Sequence, residues 1–246
     1  MNKDRERFIL KKLLSQKQVT VKELAEQLYT SEPSIRRDLT SLEKQNLLRR
    51  VHGGAVLLEN TLSELKIPFA IRELEQSDAK VIMAKKAINL VSDNDVIFLD
   101  ASSSAYALIP FLATKKNLTV ITSGIKTISK LAEYNINSIS TGGRLINSCL
   151  SLVGEEAYNI INTFNAEIVF FSCRGLSYDG KLTDISDNED NTRKKMIQNS
   201  KKSYLLCASD KFGKIYSHNL CNISDITGII TENPIPNPIL NPYFIK

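Results

Sequence analysis

Histidine and cysteine are scarce in this chain, and the scarcity removes several kinds of chemistry. Of 246 residues only His52 and His218 are histidine, and only Cys149, Cys173, Cys207 and Cys221 are cysteine. No Cys-x-x-Cys pair occurs, so no zinc framework is written here and no metal ligand is expected. Cys173 and Cys207 fall in strand-like runs. All four thiols read as reduced and mostly buried in a cytoplasmic protein. With two histidines and no tight carboxylate pair in one loop, acid–base catalysis lacks its usual residues. No catalytic residue and no cofactor is expected. No run of about 18 apolar residues and no secretory leader pattern is present, so nothing points to a membrane or to export. No internal repeat is visible.

What is there is unevenly spread. Residues 1–58 hold 12 Lys/Arg against 7 Asp/Glu, whereas residues 59–246 hold 20 of each. The whole net charge of +5 therefore sits in the first quarter of the chain, the footprint of a nucleic-acid-binding head on a neutral body.

Inside that quarter, Thr20-Val21-Lys22-Glu23 has the form of a capping box. Val21, Leu24, Ala25 and Leu28 then make one apolar helical face. After the joint Tyr29-Thr30-Ser31, with Ser31 a second N-cap, Ile35, Leu39 and Leu42 form another stripe. Ser34, Arg36, Arg37, Thr40 and Ser41 lie off it. This is a helix-turn-helix pattern, with a first helix over residues 1–15 beneath it. Two apolar runs flank His52-Gly53-Gly54, a hairpin signal that carries Arg49, Arg50 and His52. A helix-turn-helix followed by a basic hairpin is the winged arrangement. The candidate DNA-contacting set is Thr20, Ser31, Ser34, Ile35, Arg36, Arg37, Thr40, Arg49, Arg50 and His52.

These residues carry a family resemblance. Arg5, Ile9, Leu13, Ser31, Ile35 to Leu39, Leu42-Glu43 and Arg50 to Ala55 match the head of the DeoR family of bacterial regulators, which the segment from Arg5 to Ala55 closely resembles. Ser34 stands where that family has Thr, Asn46 where it has Gly, and Tyr29-Thr30 where it has Gly-Val. Tyr29 is thus expected in an unfavourable turn conformation, at a cost on the order of 1 kcal/mol.

From residue 69 the pattern changes. The runs 96–99, 118–121, 138–141, 168–171, 204–207 and 226–230 are short and β-rich, with helical stretches such as 79–90, 125–133, 154–162 and 189–200 between them. This predicts an α/β unit with a mainly parallel sheet covered on both faces. Small ligands bind beyond the carboxyl ends of such strands. There the chain places Asp100, Ser102, Ser103 and Ser104; Thr122; Gly142, Gly143 and Arg144; Arg174; and Lys211. Hydroxyls, glycines and cations of this kind suit a phosphate ester, and Asp100 suits sugar hydroxyls.

This half also resembles the DeoR family, in Leu99-Asp100, Ser103-Ser104, Thr122, Gly142-Gly143, Gly175, Gly180, Leu182-Thr183 and Lys211-Phe212-Gly213. The resemblance implies a fold similar to ribose-5-phosphate isomerase and a phosphorylated sugar as effector. Ser102, Ser123 and Ala208 depart from the family pattern.

The expected organisation is a winged helix-turn-helix over 1–58, a linker over 59–74, an effector-binding domain over 75–232 and a Pro-rich tail over 233–246, extended rather than helical. The function implied is a cytoplasmic regulator, a repressor of a sugar uptake or catabolism operon. It would bind a double-stranded operator as a homo-oligomer, dimer or tetramer, until a phosphorylated sugar releases it. Two alternatives stay open: an isomerase or deaminase fused to a DNA-binding head, with Lys211 and Asp184 or Asp187 as acid and base, or a regulator whose second domain only oligomerises.

Overall fold

Thr20 sets the first boundary of the head. The computed structural model describes residues 3–57 and 67–245. It begins with helix α1 (Lys3–Gln16) and strand β1 (Gln18–Thr20). The Thr20 hydroxyl then accepts the Glu23 N–H at 3.2 Å and starts α2 (Val21–Gln27). The other half of the expected capping box is not made. Glu23 turns its carboxylate to Lys12 and so ties α2 to α1.

The next turn closes as a Schellman motif. The Thr30 N–H donates to the Ala25 carbonyl at 3.0 Å and the Tyr29 N–H to that of Glu26 at 3.3 Å. Tyr29 holds the left-handed position at φ 48°. Its side chain is 97% exposed, so no burial offsets the strain. Helix α3 (Glu32–Lys44) follows with Pro33 in its first turn. Ser31 occupies the cap position but makes no side-chain cap bond; its Oγ lies 3.0 Å from Ser34 Oγ. A second Schellman turn, with Asn46 at φ 55°, ends α3.

Strands β2 (Leu48–Val51) and β3 (Gly54–Leu57) form the expected hairpin around His52-Gly53, and β3 pairs on its other side with β1. A Cβ on Gly54 would stand 2.1 Å from the Val19 carbonyl oxygen, so that pairing requires glycine. Ile9, Leu13, Leu24, Ile35, Leu39, Leu42 and Leu48 are buried together beneath the helices. Buried among them is a charge: Asp38, 2% exposed, accepts Arg5 Nε at 2.8 Å and Nη2 at 3.1 Å.

The chain divides into two compact units, 1–75 and 76–246. The linker expected over 59–74 is in part something else. Its last residues form helix α4 (Phe69–Leu74), whose Ile71 joins the core of the first unit. Residues 59–66 of that stretch, with Leu58, lie outside the described residues.

The second unit opens with α5 (Ser77–Ala87) and β4 (Val96–Leu99), then α6 (Ser103–Tyr106), α7 (Ile109–Leu112), β5 (Thr119–Thr122), α8 (Ile125–Glu133) and β6 (Asn137–Ser140). A hairpin of β7 (Arg144–Ile146) and β8 (Ser151–Val153) precedes α9 (Glu155–Asn162) and β9 (Ala166–Phe171). Next come β10 (Gly175–Leu176), β11 (Lys181–Asp184), α10 (Asp187–Gln198), β12 (Ser200–Leu206), β13 (His218–Asn222) and β14 (Gly228–Ile230). The six runs expected as strands are the six strands of one parallel sheet, in the order β14-β12-β9-β4-β5-β6. The hairpin and a three-stranded antiparallel sheet, β10-β11-β13, were not foreseen.

Alternation along each strand feeds two cores. Ile97, Leu99, Val120 and Phe170 pack with α5, α6, α7 and α8, whereas Phe98, Ile121, Val169 and Phe171 pack with α9 and α10. The Pro-rich tail makes one 3-10 turn at Asn241–Tyr243. It is packed down as well: Leu240 is buried, and the Ile245 N–H donates to the Ile229 carbonyl at 2.9 Å.

Tyr29→Gly is expected to stabilise the first unit by about 1 kcal/mol, because it removes left-handed strain and loses no buried area. Asn46→Gly should gain less, since asparagine tolerates that conformation. Urea unfolding followed by circular dichroism checks both, and a destabilised Tyr29→Gly protein would contradict the account.

Candidate nucleic-acid interface and sensor site

In the first unit, α3 and the hairpin expose a group of cations. Ile35, Leu39 and Leu42 take the inward side of α3, which leaves Arg36 and Arg37 exposed. Arg37 Nη2 donates to Ser34 Oγ at 3.2 Å, and Arg36 Nη2 to Glu32 Oε2 at 3.1 Å. The Thr40 hydroxyl donates to the Arg36 carbonyl at 2.8 Å and accepts Arg50 Nη1 at 2.9 Å. The Arg50 N–H donates to Glu43 Oε1 at 2.8 Å. The hairpin is thus latched to α3 by side chains, and Arg50 lies beside Thr40. Arg49 and His52 are exposed on the same hairpin.

These bonds link Ser31, Ser34 and Arg37 in one chain and Arg36, Thr40 and Arg50 in another. Thr20 is exposed, but its hydroxyl is occupied as a cap. Ile35 is the correction in the predicted set. It is fully buried, so it anchors α3 and offers nothing to a duplex.

In the second unit, the chain runs outward from β4 in both directions, so β4 and β9 flank the topological switch point where open sheets bind ligands. Asp100 follows β4 and is 1% exposed. Its Oδ1 accepts the Ser102 N–H at 3.0 Å; its Oδ2 accepts the Ser172 N–H at 3.1 Å and Arg193 Nε at 3.0 Å. The sugar-holding role expected of Asp100 therefore competes with three protein donors. Ser102, Ser103 and Ser104 are buried, and Ser102 Oγ caps α6 by accepting the Ala105 N–H at 3.1 Å. Thr122 Oγ1 is likewise turned to the Gly124 N–H at 3.1 Å.

Lys211 Nζ donates at 2.8 Å to both Ser172 Oγ and the Cys173 carbonyl, which brings the ends of β9 and β12 together. Arg174 Nε lies 3.4 Å from Asp184 Oδ1. Gly143 takes φ 105°, and a Cβ there would stand 2.6 Å from the Val153 carbonyl oxygen. Arg144 is exposed and reaches Asn188 at 3.4 Å.

Sequence reasoning missed the centre of this arrangement. Arg193, on α10, is buried and donates to Asp100 at 3.0 Å, Asp184 at 2.9 Å and Asp190 at 3.0 Å, with Glu189 at 3.6 Å. Burial works to lower the Arg193 pKa, but Asp184, Glu189, Asp100 and Asp190 together raise it well above the ordinary value. The sequence signal was the spacing of Glu189 and Asp190 at four and three residues before Arg193, which equally describes a solvated helix. Asp190 Oδ2 is buried with no hydrogen-bond partner among the described residues, and burial pushes this carboxyl up to about 6 against the pull of Arg193. None of the four cysteines is in a disulfide, and burial pushes the Cys173 and Cys221 thiols up to about 12. Among the described residues no group of three or more His, Cys, Asp or Glu is arranged to hold a metal, and no helix is long and apolar enough to cross a membrane.

A winged helix with a latched cationic face, joined in one chain to an α/β unit with polar loops at its strand ends, defines a DNA-binding regulator with an attached sensor. Comparison with known proteins agrees. The DeoR-like helix-turn-helix domain matches residues 5–61, and the DeoR C terminal sensor domain matches residues 75–233. The chain belongs to the DeoR family of transcription regulators.

Its relatives include the HTH-type transcriptional regulator GolR of Listeria innocua, 34% identical over 233 residues, 94% of this chain and 91% of that one. The L-fucose operon activator of Haemophilus influenzae is 31% identical over 95% of this chain and 93% of its own length. The glycerol-3-phosphate regulon repressor of Escherichia coli is 28% identical over 94% and 91%. These relatives are named as regulators, not enzymes. Among solved structures, eIF2B delta from Chaetomium thermophilum superposes with a TM-score of 0.50 at 16% identity, over 68% of this chain and 62% of that one, which speaks for the fold alone. Ribose 5 phosphate isomerase A from Neisseria gonorrhoeae reaches a TM-score of 0.42 at 17% identity over 56% of this chain. The chain spans 54% of that isomerase, a likeness too partial to argue from.

Asp190 makes the pH dependence specific. Its folded pKa is raised above the unfolded 3.8, so the fold holds this proton more tightly than the unfolded chain. The resulting penalty is absent below pH 3.8, grows as pH rises to about 6, and is constant above. Asp190→Asn removes it. The stability of the variant relative to the parent should rise by on the order of 2 kcal/mol between pH 4 and pH 6 and then level off. Urea unfolding of both proteins at a series of pH values checks this; a difference independent of pH would contradict it.

Proposed function

We propose that this regulator represses a sugar uptake or catabolism operon in the cytoplasm and leaves its operator when a phosphorylated sugar binds the second unit. The observation that carries the DNA-binding half is the latch of Arg50 onto Thr40, which sets hairpin and α3 cations on one exposed face. Arg36 and Arg37 are the base and phosphate contacts, with Ser31, Ser34, Thr40, Arg49, Arg50 and His52 around them. A homo-oligomer offers two such faces to half-sites about 34 Å apart or a multiple of that.

In the second unit, the cations Lys211, Arg174 and Arg144 are the partners for the phosphate, beside the Gly142-Gly143 turn. Asp100 and Ser102 serve the frame that holds them, with Ser103, Ser104 and Thr122 buried alongside. The relatives' names, an L-fucose operon activator and a glycerol-3-phosphate regulon repressor among them, support the reading of sugar control. The effector releases DNA only by preferring the conformation that binds DNA poorly. One observation favours a second reading, in which the unit only oligomerises: Asp100 and the Ser102 hydroxyl are already engaged by protein donors.

Electrophoretic shift on the gene's own upstream DNA, with and without a panel of sugar phosphates, tests the proposal. A shift reversed by one sugar phosphate is expected. Calorimetry that stays silent across the panel would favour the oligomerising reading. Arg37→Ala should weaken binding to all duplexes alike and lower the slope of log affinity against log salt by about 1. An unchanged slope would remove Arg37 from the phosphate contacts.

A further inference from the structure

Helix α3 carries three carboxylates, and two of them have tasks within the fold. Asp38 is buried and holds Arg5, while Glu43 accepts the Arg50 N–H and so fastens the hairpin. Glu32 has no such task. Among the described residues its partner is Arg36, at 3.1 Å, and both side chains are about half exposed, 48% and 51%. Glu32 is the first residue of α3, one turn ahead of Arg36.

The N-terminal residues of a recognition helix are those that meet base edges. An acid there is repelled by the phosphates, so it weakens binding to every duplex. That loss is offset only where the carboxylate finds a donor, and in the major groove the donor suited to a carboxylate is the cytosine N4 amino group. The ion pair adds a second effect. It occupies one amino group of Arg36 and holds the guanidinium along the helix toward its first turn, with other N–H groups left for guanine O6 and N7.

Resting on the DNA-contacting role proposed for Arg36, we infer that Glu32 is a base-reading residue: it accepts from a cytosine amino group and orients Arg36 toward a guanine in the same half-site.

Selection of duplexes from a randomised pool by the full chain tests this, with the parent, Glu32→Ala and Glu32→Gln compared. The parent should favour cytosine at one position of each half-site by about 5- to 100-fold. Glu32→Ala should become indifferent at that position and bind unrelated duplexes more tightly at low salt. Glu32→Gln should move the preference to adenine, whose N6 and N7 suit an amide. Unchanged thermal unfolding would show that all three proteins fold alike. Three identical selected sequences, with affinities that differ uniformly, would overturn the inference and reduce Glu32 to a helix-end charge. A parent that selects no sequence at all would instead bring down the DNA-contacting reading beneath it.

Discussion

A charge taken out of water has to be paired, and each unit of this protein is built around such a pair. In the first unit, Asp38 sits at 2% exposure and accepts from Nε and Nη2 of Arg5. In the second, the Arg193 guanidinium is enclosed by Asp100, Asp184 and Asp190. Removing one partner of a buried pair leaves an uncompensated charge, which costs more than the pair contributes. These groups therefore hold their geometry firmly. Asp38 bolts α3 to the first helix, and Arg193 gathers the ends of β4 and β11 against α10.

The rigid side of α3 gives its other side meaning. With Ile35, Leu39, Leu42 and Asp38 facing inward, the arginines between them have nowhere to go but outward. Three of the outward cations have a short-range acceptor: Glu32 for Arg36, Ser34 for Arg37, Thr40 for Arg50. Such contacts are individually weak in water. They narrow the range of positions each guanidinium visits, so less freedom is lost when a duplex arrives. The second unit uses the same chemistry with the opposite exposure. Its buried hub consumes the carboxylate oxygens of Asp100, while Lys211, Arg174 and Arg144 are less buried than Arg193 and each holds a protein partner of its own.

Much of this was legible in the residues. Strands buried on both faces read as short continuous apolar runs, and all six expected runs are strands of the parallel sheet. The helix-turn-helix showed in two apolar stripes and a capping threonine, and Tyr29 at φ 48° confirms a turn read from the joint. The illegible parts share one cause: they depend on partners distant in sequence. Strands β10, β11 and β13 are too short and polar to carry a period, and they pair across up to some forty residues. Helix α4 is six residues long and is held by a core it did not build. Arg193 lies 93 residues from Asp100, in a run of charges that resembles any wet surface.

The sequence alone determined the family, the winged head with its excess positive charge, and the alternating pattern that yields a parallel sheet. Local periodicity and residue chemistry at fixed spacing are properties of the chain itself, so they needed no coordinates. Tertiary structure decided which polar groups are free to act. It buried Ile35, committed Asp100 and Ser102 to the frame, brought Arg193 to the centre, and left Glu32 paired with Arg36 at the exposed start of α3. Hydrogen-bond capacity is shared among neighbours in space, and a side chain is available to a ligand only after the folded chain has taken what it requires.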